Sequence, residues 1–250
     1  MSTAAPEAAA TARPATERPA EEAVSRVRRP RLRADGLLFH NGDRLRQPEF
    51  HRLYEQMPGV KADLIGGIVY MASPDSDPHA EDHSLMTTWT GVYAARVAWL
   101  TSLDNATFIA SLDDEVQPDA AIALHPDHGG RSHVNDRNIR EGVGELFIEV
   151  AYGSASYDLY EKFELYRREG VREYVVVEVK DRRTRWFTLE NGGYAEAEPE
   201  GGVFRSTQFP GLWLHAEGAA APDAGAVLDS LAEGMATDAF KAYVETPPSG

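Results

Sequence analysis

ELFIEVAYGSASYDLYEKFELYRREGVREYVVVEVK, residues 145–180, is the stretch from which the fold is predicted. It predicts a buried strand that carries an acid, then a short turn, an amphipathic helix from about Asp158 and a second strand that ends near Lys180. Glu149 is unusual because Leu146, Phe147, Ile148 and Val150 surround it with apolar sequence. A carboxylate in such a strand costs several kcal/mol unless something compensates its charge. We therefore expect a metal ion or a lysine beside Glu149.

The composition indicates one domain with a substantial core. The chain has 250 residues, of which 42% are hydrophobic, and it has no cysteine. Disulfides, thiolate metal sites and cysteine nucleophiles are therefore excluded. Any metal must be held by carboxylates, carbonyls, histidines and water, and this donor set favours Mg²⁺ or Mn²⁺.

The charge balance is strongly acidic, with 40 acidic against 25 basic residues and a formal net charge of -15. Such a field repels polyanions, which weighs against a simple DNA-binding module but not against an enzyme with a metal ion and a local basic groove. No apolar run is long enough to span a bilayer, and the N-terminus has no apolar signal segment. We expect a soluble, cytoplasmic protein.

Three regions are predicted along the chain. Residues 1–35 have the composition of a disordered tail, and five arginines fall within residues 26–33. This arginine-rich segment is either a nucleic-acid-contacting or partner-binding arm or a solvated linker. Residues 36–215 form the predicted catalytic domain, and residues 216–250 form a linker to about Gly225 followed by a C-terminal helix over 226–244.

Within the domain, apolar spacing and turn residues predict the main elements. We expect a hairpin over 62–71 turned at Gly66-Gly67, a helix over about 79–100, strands over 107–112 and 116–124, a polar loop over 125–144, and a hairpin turned at 191–193.

Three acids stand at the ends of predicted strands: Asp63, Asp119 and Glu149. Carboxylates from adjacent strands that lie a few ångströms apart require a cation between them, so they predict a divalent-metal site. Lys162, on the helix after Glu149, is the candidate to orient or activate a water molecule for phosphodiester hydrolysis. The alternative for Lys162 is an ordinary surface ion pair with Asp158 at the i,i+4 spacing.

An ordered set of motifs between about Phe50 and Leu214 resembles the Uma-two family of putative restriction endonucleases, in the PD-(D/E)XK superfamily. The matching segments are Pro118-Asp119, Phe147-Ile148-Glu149-Val150, Ser154, Tyr157–Tyr166 and Gly170–Val177.

The resemblance implies an α/β fold with a restriction-endonuclease-like core, in which a mixed central β-sheet is flanked by helices. It also implies a metal-dependent nuclease site in which Asp119 and Glu149 are the two motif acids. Lys162 stands for the motif lysine, because Ala151 occupies the usual lysine position two residues after Glu149. Asp63 stands where the family usually has a glutamate.

The chain departs from the family pattern at two places near this site. Asp63 is one methylene shorter than the usual glutamate, and Gly66 replaces the usual acid of that turn. Residues 151–154 read Ala-Tyr-Gly-Ser where a Leu-Ser-Pro-Ser form is common. His79 matches a family histidine, and it either contacts phosphate or caps and packs the helix.

These observations lead to three hypotheses. The first is a Mg²⁺- or Mn²⁺-dependent endonuclease acting on DNA, in which Asp119, Glu149 and Asp63 hold the metal and Lys162 acts on the water. The second is a catalytically degenerate nuclease-fold protein that serves as a binding or regulatory module. The third is an oligomer, in the simplest case a homodimer, assembled through the C-terminal helix.

Overall fold

The structure is a computed structural model that describes residues 1, 36–71, 77–151 and 158–247, and for 77–79 and 158–159 it describes the backbone only. The predicted arginine-rich tail, the Ser73-Pro74 segment, the side chain of His79 and residues 152–157 of the turn lie outside this description. The chain divides into two compact units, residues 1–31 and 32–250. The fold described below is that of the second unit.

The described chain contains both helices and short strands. The helices are α1 (Gln47–Tyr54), α2 (Asp77–Ala94), α3 (Phe163–Glu169), α4 (Ala216–Ala220), α5 (Ala224–Met235) and α6 (Asp238–Glu245). A π-helical turn, Asp158–Lys162, leads directly into α3, and a 3-10 turn covers Pro126–His128. The strands are β1 (Ala62–Ile65), β2 (Ile68–Met71), β3 (Leu100–Asp104), β4 (Phe108–Ile109), β5 (Glu115–Val116), β6 (Ala120–Leu124), β7 (Ser132–Val134), β8 (Arg140–Gly142), β9 (Leu146–Ala151), β10 (Glu173–Glu178), β11 (Arg183–Glu190), β12 (Gly193–Glu196), β13 (Val203–Arg205) and β14 (Trp213–His215).

The strands form two six-stranded sheets and one small two-stranded sheet. The first sheet has the order β2-β1-β5-β4-β8-β7, and the second has the order β12-β11-β10-β9-β6-β3. In the second sheet β9 and β10 are parallel, whereas β6 and β9 are antiparallel. The predicted α/β class, with mixed strands flanked by helices, is confirmed.

The two faces of the second sheet pack against different partners. On one face, alternate residues of β9 and β10 join a core with α2, α4, α5 and α6. On the other face, Phe147 and Ala151 of β9 pack with Tyr166 of α3 and with Val116 of the first sheet. Because side chains alternate along a strand, Glu149 shares this second face with Phe147 and Ala151. The acid is therefore buried where the two sheets and α3 meet.

The predicted hairpin at the start of the domain is confirmed. Strands β1 and β2 pair antiparallel in a register that leaves Gly66 and Gly67 as the turn. Both glycines have positive φ, 57° and 74°, which is a conformation that other residues rarely adopt. The turn fixes the direction of β1 and hence the face on which Asp63 lies.

The prediction of one strand over residues 116–124 is wrong. Strand β5 belongs to the first sheet and β6 to the second, and the chain crosses between them at Gln117-Pro118-Asp119. Pro118 has no N–H for a strand ladder, and the N–H of Gln117 donates to Oδ1 of Asp63 instead of to a neighbouring strand. This crossing brings Asp119 to the junction between the sheets.

Four other boundaries differ from prediction. The strand predicted over 107–112 is only β4, and the helix predicted over 79–100 is α2, which ends at Ala94. The region 125–144, predicted as a polar loop, contains the β7–β8 hairpin. The predicted linker at 216–225 contains α4, whose first turn is capped by His215 accepting from the N–H of Gly218.

The predicted C-terminal helix is two helices, α5 and α6. The side chain of Thr237 caps α6 by accepting from the N–H of Phe240. Val227, Leu231 and Phe240 of these helices are buried in the same core as β9. Within the described part of the chain, no helix has the length and apolar character required to cross a membrane.

Candidate active site

Glu149 lies at the centre of a buried polar cluster on the second face of β9. Only 2% of its surface is exposed. Its Oε1 lies 2.8 Å from Nζ of Lys162 and accepts a hydrogen bond of 2.8 Å from the hydroxyl of Tyr166. A lysine therefore accompanies the strand acid, which is one of the two compensations that the sequence predicted.

Lys162 is the last residue of the π-helical turn, and its ammonium is shared by two acids. Besides Glu149, Nζ lies 3.2 Å from Oδ2 of Asp63. The Lys162 side chain is 4% exposed, so this is a buried ion-pair network and not a surface pair. The alternative of an ordinary surface pair for Lys162 is therefore wrong, while the Asp158 side chain lies outside the described residues. Short π-helical segments occur frequently at functional sites.

Asp119 lies next to Glu149 because of the antiparallel register between β6 and β9. Ala120 pairs with Ile148, so continuing that register by one residue places Asp119 opposite Glu149. Oδ2 of Asp119 accepts a hydrogen bond of 2.8 Å from the N–H of Val150. Glu149 in β9 and Asp119, the residue before β6, are therefore neighbours across two adjacent strands.

Asp63 reaches the cluster from the first sheet. Its Oδ1 accepts the N–H of Gln117 at 2.8 Å, while Oδ2 contacts Lys162. Gln117 is held in turn by Tyr54, whose hydroxyl donates to Oε1 of Gln117 at 3.2 Å. All four predicted site residues, Asp63, Asp119, Glu149 and Lys162, thus meet in one buried cluster.

Lys61, which was not predicted as a site residue, brings a second ammonium to the cluster. Nζ of Lys61 lies 2.6 Å from Oδ1 of Asp119, and the Lys61 side chain is 29% exposed. Burial lowers the pKa of Lys61, but the attraction of Asp119 and Glu149 outweighs burial and raises the pKa above its usual value. Lys61 precedes β1 by one residue and carries no local signal, because its partner lies in the other sheet.

Tyr166 was also missed as a site residue. The helical spacing of α3 indicates a core position, and the ring is indeed fully buried, but its hydroxyl donates to Glu149. Burial, and then the negative charge of Glu149, raise the pKa of Tyr166 well above the ordinary tyrosine value. The hydroxyl therefore remains a hydrogen-bond donor that orients Glu149.

His83 of α2 lies behind Asp119. Its Nε2 is 2.9 Å from the backbone carbonyl oxygen of Asp119 and 3.0 Å from Oδ1 of Asp104. The histidine singled out from the sequence is His79, one helical turn earlier, and its side chain lies outside the described residues. His83 supports the backbone of the site, and spacing alone does not distinguish the two histidines.

The charges of the five site residues nearly balance. Three carboxylates, Asp63, Asp119 and Glu149, face two ammonium groups, and this leaves one formal negative charge. Burial raises the pKa of Asp119, yet the positive charges of Lys61 and Lys162 and the hydrogen bonds from Lys61 and Val150 outweigh burial and lower the pKa. Asp119 is therefore ionised at neutral pH.

The lowered pKa of Asp119 predicts a specific pH dependence of stability. A carboxyl whose folded pKa lies below the ordinary value of 3.8 stabilises the fold above that value. This contribution is lost as the pH falls through the lower, folded pKa. We expect wild type to exceed Asp119→Asn in free energy of unfolding by about 1–3 kcal/mol at pH 7, with the difference shrinking below pH 3.8.

Urea unfolding of both proteins between pH 7 and pH 3 measures this difference, and titrating groups that are distant from Asp119 cancel in the comparison. A difference that stays constant over the whole range would contradict the ionic role of Asp119.

The acids of the cluster are compensated by lysines in the described structure. Among the described residues, no group of three or more His, Asp or Glu side chains is arranged to hold a metal ion. The carboxylates of Asp119 and Glu149 are nevertheless donors of the type that Mg²⁺ and Mn²⁺ prefer. They lie opposite each other at the paired strands β6 and β9, and their negative charges both attract the ammonium of Lys61.

Comparisons with known proteins identify a sequence family for this chain. The sequence model of the Uma2 family, described as "Putative restriction endonuclease", matches residues 47–217. These residues include Lys61, Asp63, Asp119, Glu149 and Lys162. No curated protein matches the chain significantly.

A solved structure described as a putative nuclease belonging to DUF820 from Anabaena variabilis has a similar fold. The TM-score is 0.51 at 7% sequence identity, over 63% of this chain and 88% of that chain. At this identity the likeness shows the fold alone, and the predicted restriction-endonuclease-like architecture is confirmed. Because the family model covers more than half of the chain and includes every residue of the cluster, this chain belongs to the Uma2 family, the Uma-two family of the sequence analysis.

Proposed function

We propose that this protein is a Mg²⁺- or Mn²⁺-dependent endonuclease that hydrolyses phosphodiester bonds in DNA. The observation that carries the proposal is the single buried cluster in which Asp119, Glu149 and Lys162 meet. Family membership supports a nuclease acting on nucleic acid. The specific chemistry is argued below from the cluster itself.

Asp119 and Glu149 are the residues that would hold the divalent cation. The pairing of the adjacent strands β6 and β9 fixes their backbone positions. The N–H of Val150 orients the carboxylate of Asp119, and the hydroxyl of Tyr166 orients that of Glu149. When bound, a divalent cation lowers the pKa of water and offsets negative charge on a phosphate. The acidic site can then accept a polyanion that its own charge would repel.

Lys162 would position the attacking water and donate hydrogen bonds near the reacting phosphate. Its ammonium is held by Glu149 and Asp63, so it has a fixed place beside the acid that binds the cation. Asp63 contacts Lys162 and Gln117, which supports a role as a positioning residue for the lysine.

A second candidate function is a catalytically degenerate nuclease fold that binds a partner or regulates. The observation that favours it is the contact between Lys61 and Asp119, because two lysines already supply most of the counter-charge to the three acids. A site that is nearly neutral with its own lysines has less need of a cation.

Cleavage of supercoiled plasmid DNA separates the two candidates. We expect the purified protein to nick or linearise the plasmid with Mg²⁺ or Mn²⁺ and to leave it intact with EDTA. The Asp119→Asn variant, prepared in the same way, controls for a contaminating nuclease and should be inactive. Intact plasmid with both cations, from a protein that unfolds cooperatively, would contradict the endonuclease proposal and favour the binding module.

A further inference from the structure

Lys61 and Lys162 hold the acids of the cluster in different ways. The side chain of Lys162 is 4% exposed and its ammonium contacts two carboxylates. The side chain of Lys61 is 29% exposed, and its only ion-pair contact among the described residues is with Asp119. Lys61 also lies outside the strand, one residue before β1, and its flexible side chain borders solvent. Of the two lysines, Lys61 is the one that can leave without breaking the buried network.

The ammonium of Lys61 contacts the Asp119 oxygen that a divalent cation held by Asp119 would also use. Oδ2 of Asp119 is held by the N–H of Val150, so Oδ1 is the oxygen that Lys61 contacts at 2.6 Å. Glu149 attracts the same ammonium and Lys162 repels it. The Lys61 ammonium therefore interacts with the same charged groups that a metal held by Asp119 and Glu149 would interact with.

A divalent cation and the Lys61 ammonium compete for the same oxygen. Magnesium binds carboxylate oxygens at about 2.0–2.1 Å, while Nζ lies 2.6 Å from Oδ1 of Asp119. Two like-charged ions this close to one oxygen repel each other strongly in a partly buried site. Binding of one disfavours binding of the other.

We propose that Lys61 is an exchangeable counter-ion of the site. It neutralises Asp119 when no divalent cation is bound, and it swings out toward solvent when the cation binds. This inference rests on the proposed function, because it assumes that Asp119 takes the cation. Lys61 thus lowers the affinity of the site for metal and stabilises the metal-free fold.

The test is calorimetric titration of Mn²⁺ into the full-length protein without nucleic acid. We expect Lys61→Gln to bind Mn²⁺ about tenfold more tightly than wild type, which lies within the usual range for coupling between two binding events. The glutamine amide can still donate to Asp119, so the variant keeps a partner for the buried carboxylate. Thermal unfolding gives a second readout, in which Mn²⁺ should raise the midpoint more for Lys61→Gln than for wild type.

Two controls isolate the local charge. Lys61→Arg keeps the positive charge and should bind Mn²⁺ no more tightly than wild type. Lys241→Gln removes the same charge from the exposed pair with Asp238 and should leave the affinity unchanged. Equal affinities in wild type and all three variants would overturn the proposal.

The outcomes also separate this inference from the proposed function. If neither wild type nor Lys61→Gln binds Mn²⁺, both the proposed metal site and the proposed exchange are contradicted. If Lys61→Gln binds Mn²⁺ more tightly but the plasmid stays intact in the cleavage assay, the exchange is supported and the endonuclease function is contradicted. Mn²⁺ binding by wild type with weaker binding by Lys61→Gln would overturn the exchange alone.

Discussion

Replacing Glu149 by glutamine is expected to reduce cation-dependent DNA cleavage by about a hundredfold or more. Changes to residues that merely orient metal ligands already cost about 10- to 100-fold in metal affinity or activity, and Glu149 is proposed to be a ligand itself. The glutamine has nearly the same size and its carbonyl can accept from Tyr166 and Lys162, which donate to Oε1 of Glu149. The fold should therefore survive while the negative charge is lost.

Initial rates of plasmid nicking at fixed Mn²⁺ measure this effect, and calorimetric titration shows whether Mn²⁺ binding is lost with it. Glu164→Gln is the matched control, because Glu164 lies on α3 in an exposed pair with Arg167 and should not affect cleavage. If Glu149→Gln cleaves at the wild-type rate, Glu149 is not part of the catalytic machinery.

Replacing Lys162 by methionine is expected to lower the free energy of unfolding by about 3–5 kcal/mol. This is the usual cost of removing one partner from a buried ion pair, because the remaining charge keeps its desolvation penalty. Here Glu149 and Asp63 both lose the ammonium that they share, and both acids are buried. Methionine preserves the length and apolar stem of the side chain, so the loss reports mainly on charge.

Urea unfolding measures the change, with Lys241→Met as the control. Lys241 forms an exposed pair with Asp238, so its replacement should leave the free energy of unfolding nearly unchanged. The double variant Lys162→Met with Glu149→Gln should recover part of the loss, because one unpaired charge is removed with its partner. A loss below about 1 kcal/mol in the single variant would show that Lys162 does not compensate these acids.

The neighbourhood of Glu149 could be predicted from the sequence to a large extent. An acid inside an apolar strand needs a compensating positive charge, and the helix that follows offers Lys162 within reach. The position of Asp119 at the end of a neighbouring predicted strand added the expectation that it belongs to the same site, and the resemblance to the family implied the same. Both expectations depend on local sequence and on one pair of adjacent strands, and the contacts of Lys162 and the β6–β9 register agree with them.

The crossing at Gln117-Pro118-Asp119 was not predicted, because residues 116–124 have the composition of a single strand. Whether the chain continues in one sheet or passes to another depends on which strands stand beside it. Here β1 pairs with β5, and Asp63 takes the N–H of Gln117. Asp63 and Gln117 are 54 residues apart in the chain, so their contact depends on the packing of the whole domain.

The sequence alone predicts the strand that carries Glu149, the helix and second strand that follow, the buried charge that needs a partner, and a thiol-free set of oxygen and nitrogen donors. These follow from short-range periodicity and from the cost of burying a charge. The contact between Lys61, one residue before β1, and Asp119, one residue before β6, depends on the tertiary structure. No local pattern encodes that contact, because it exists only when two sheets close on each other and their charges must balance.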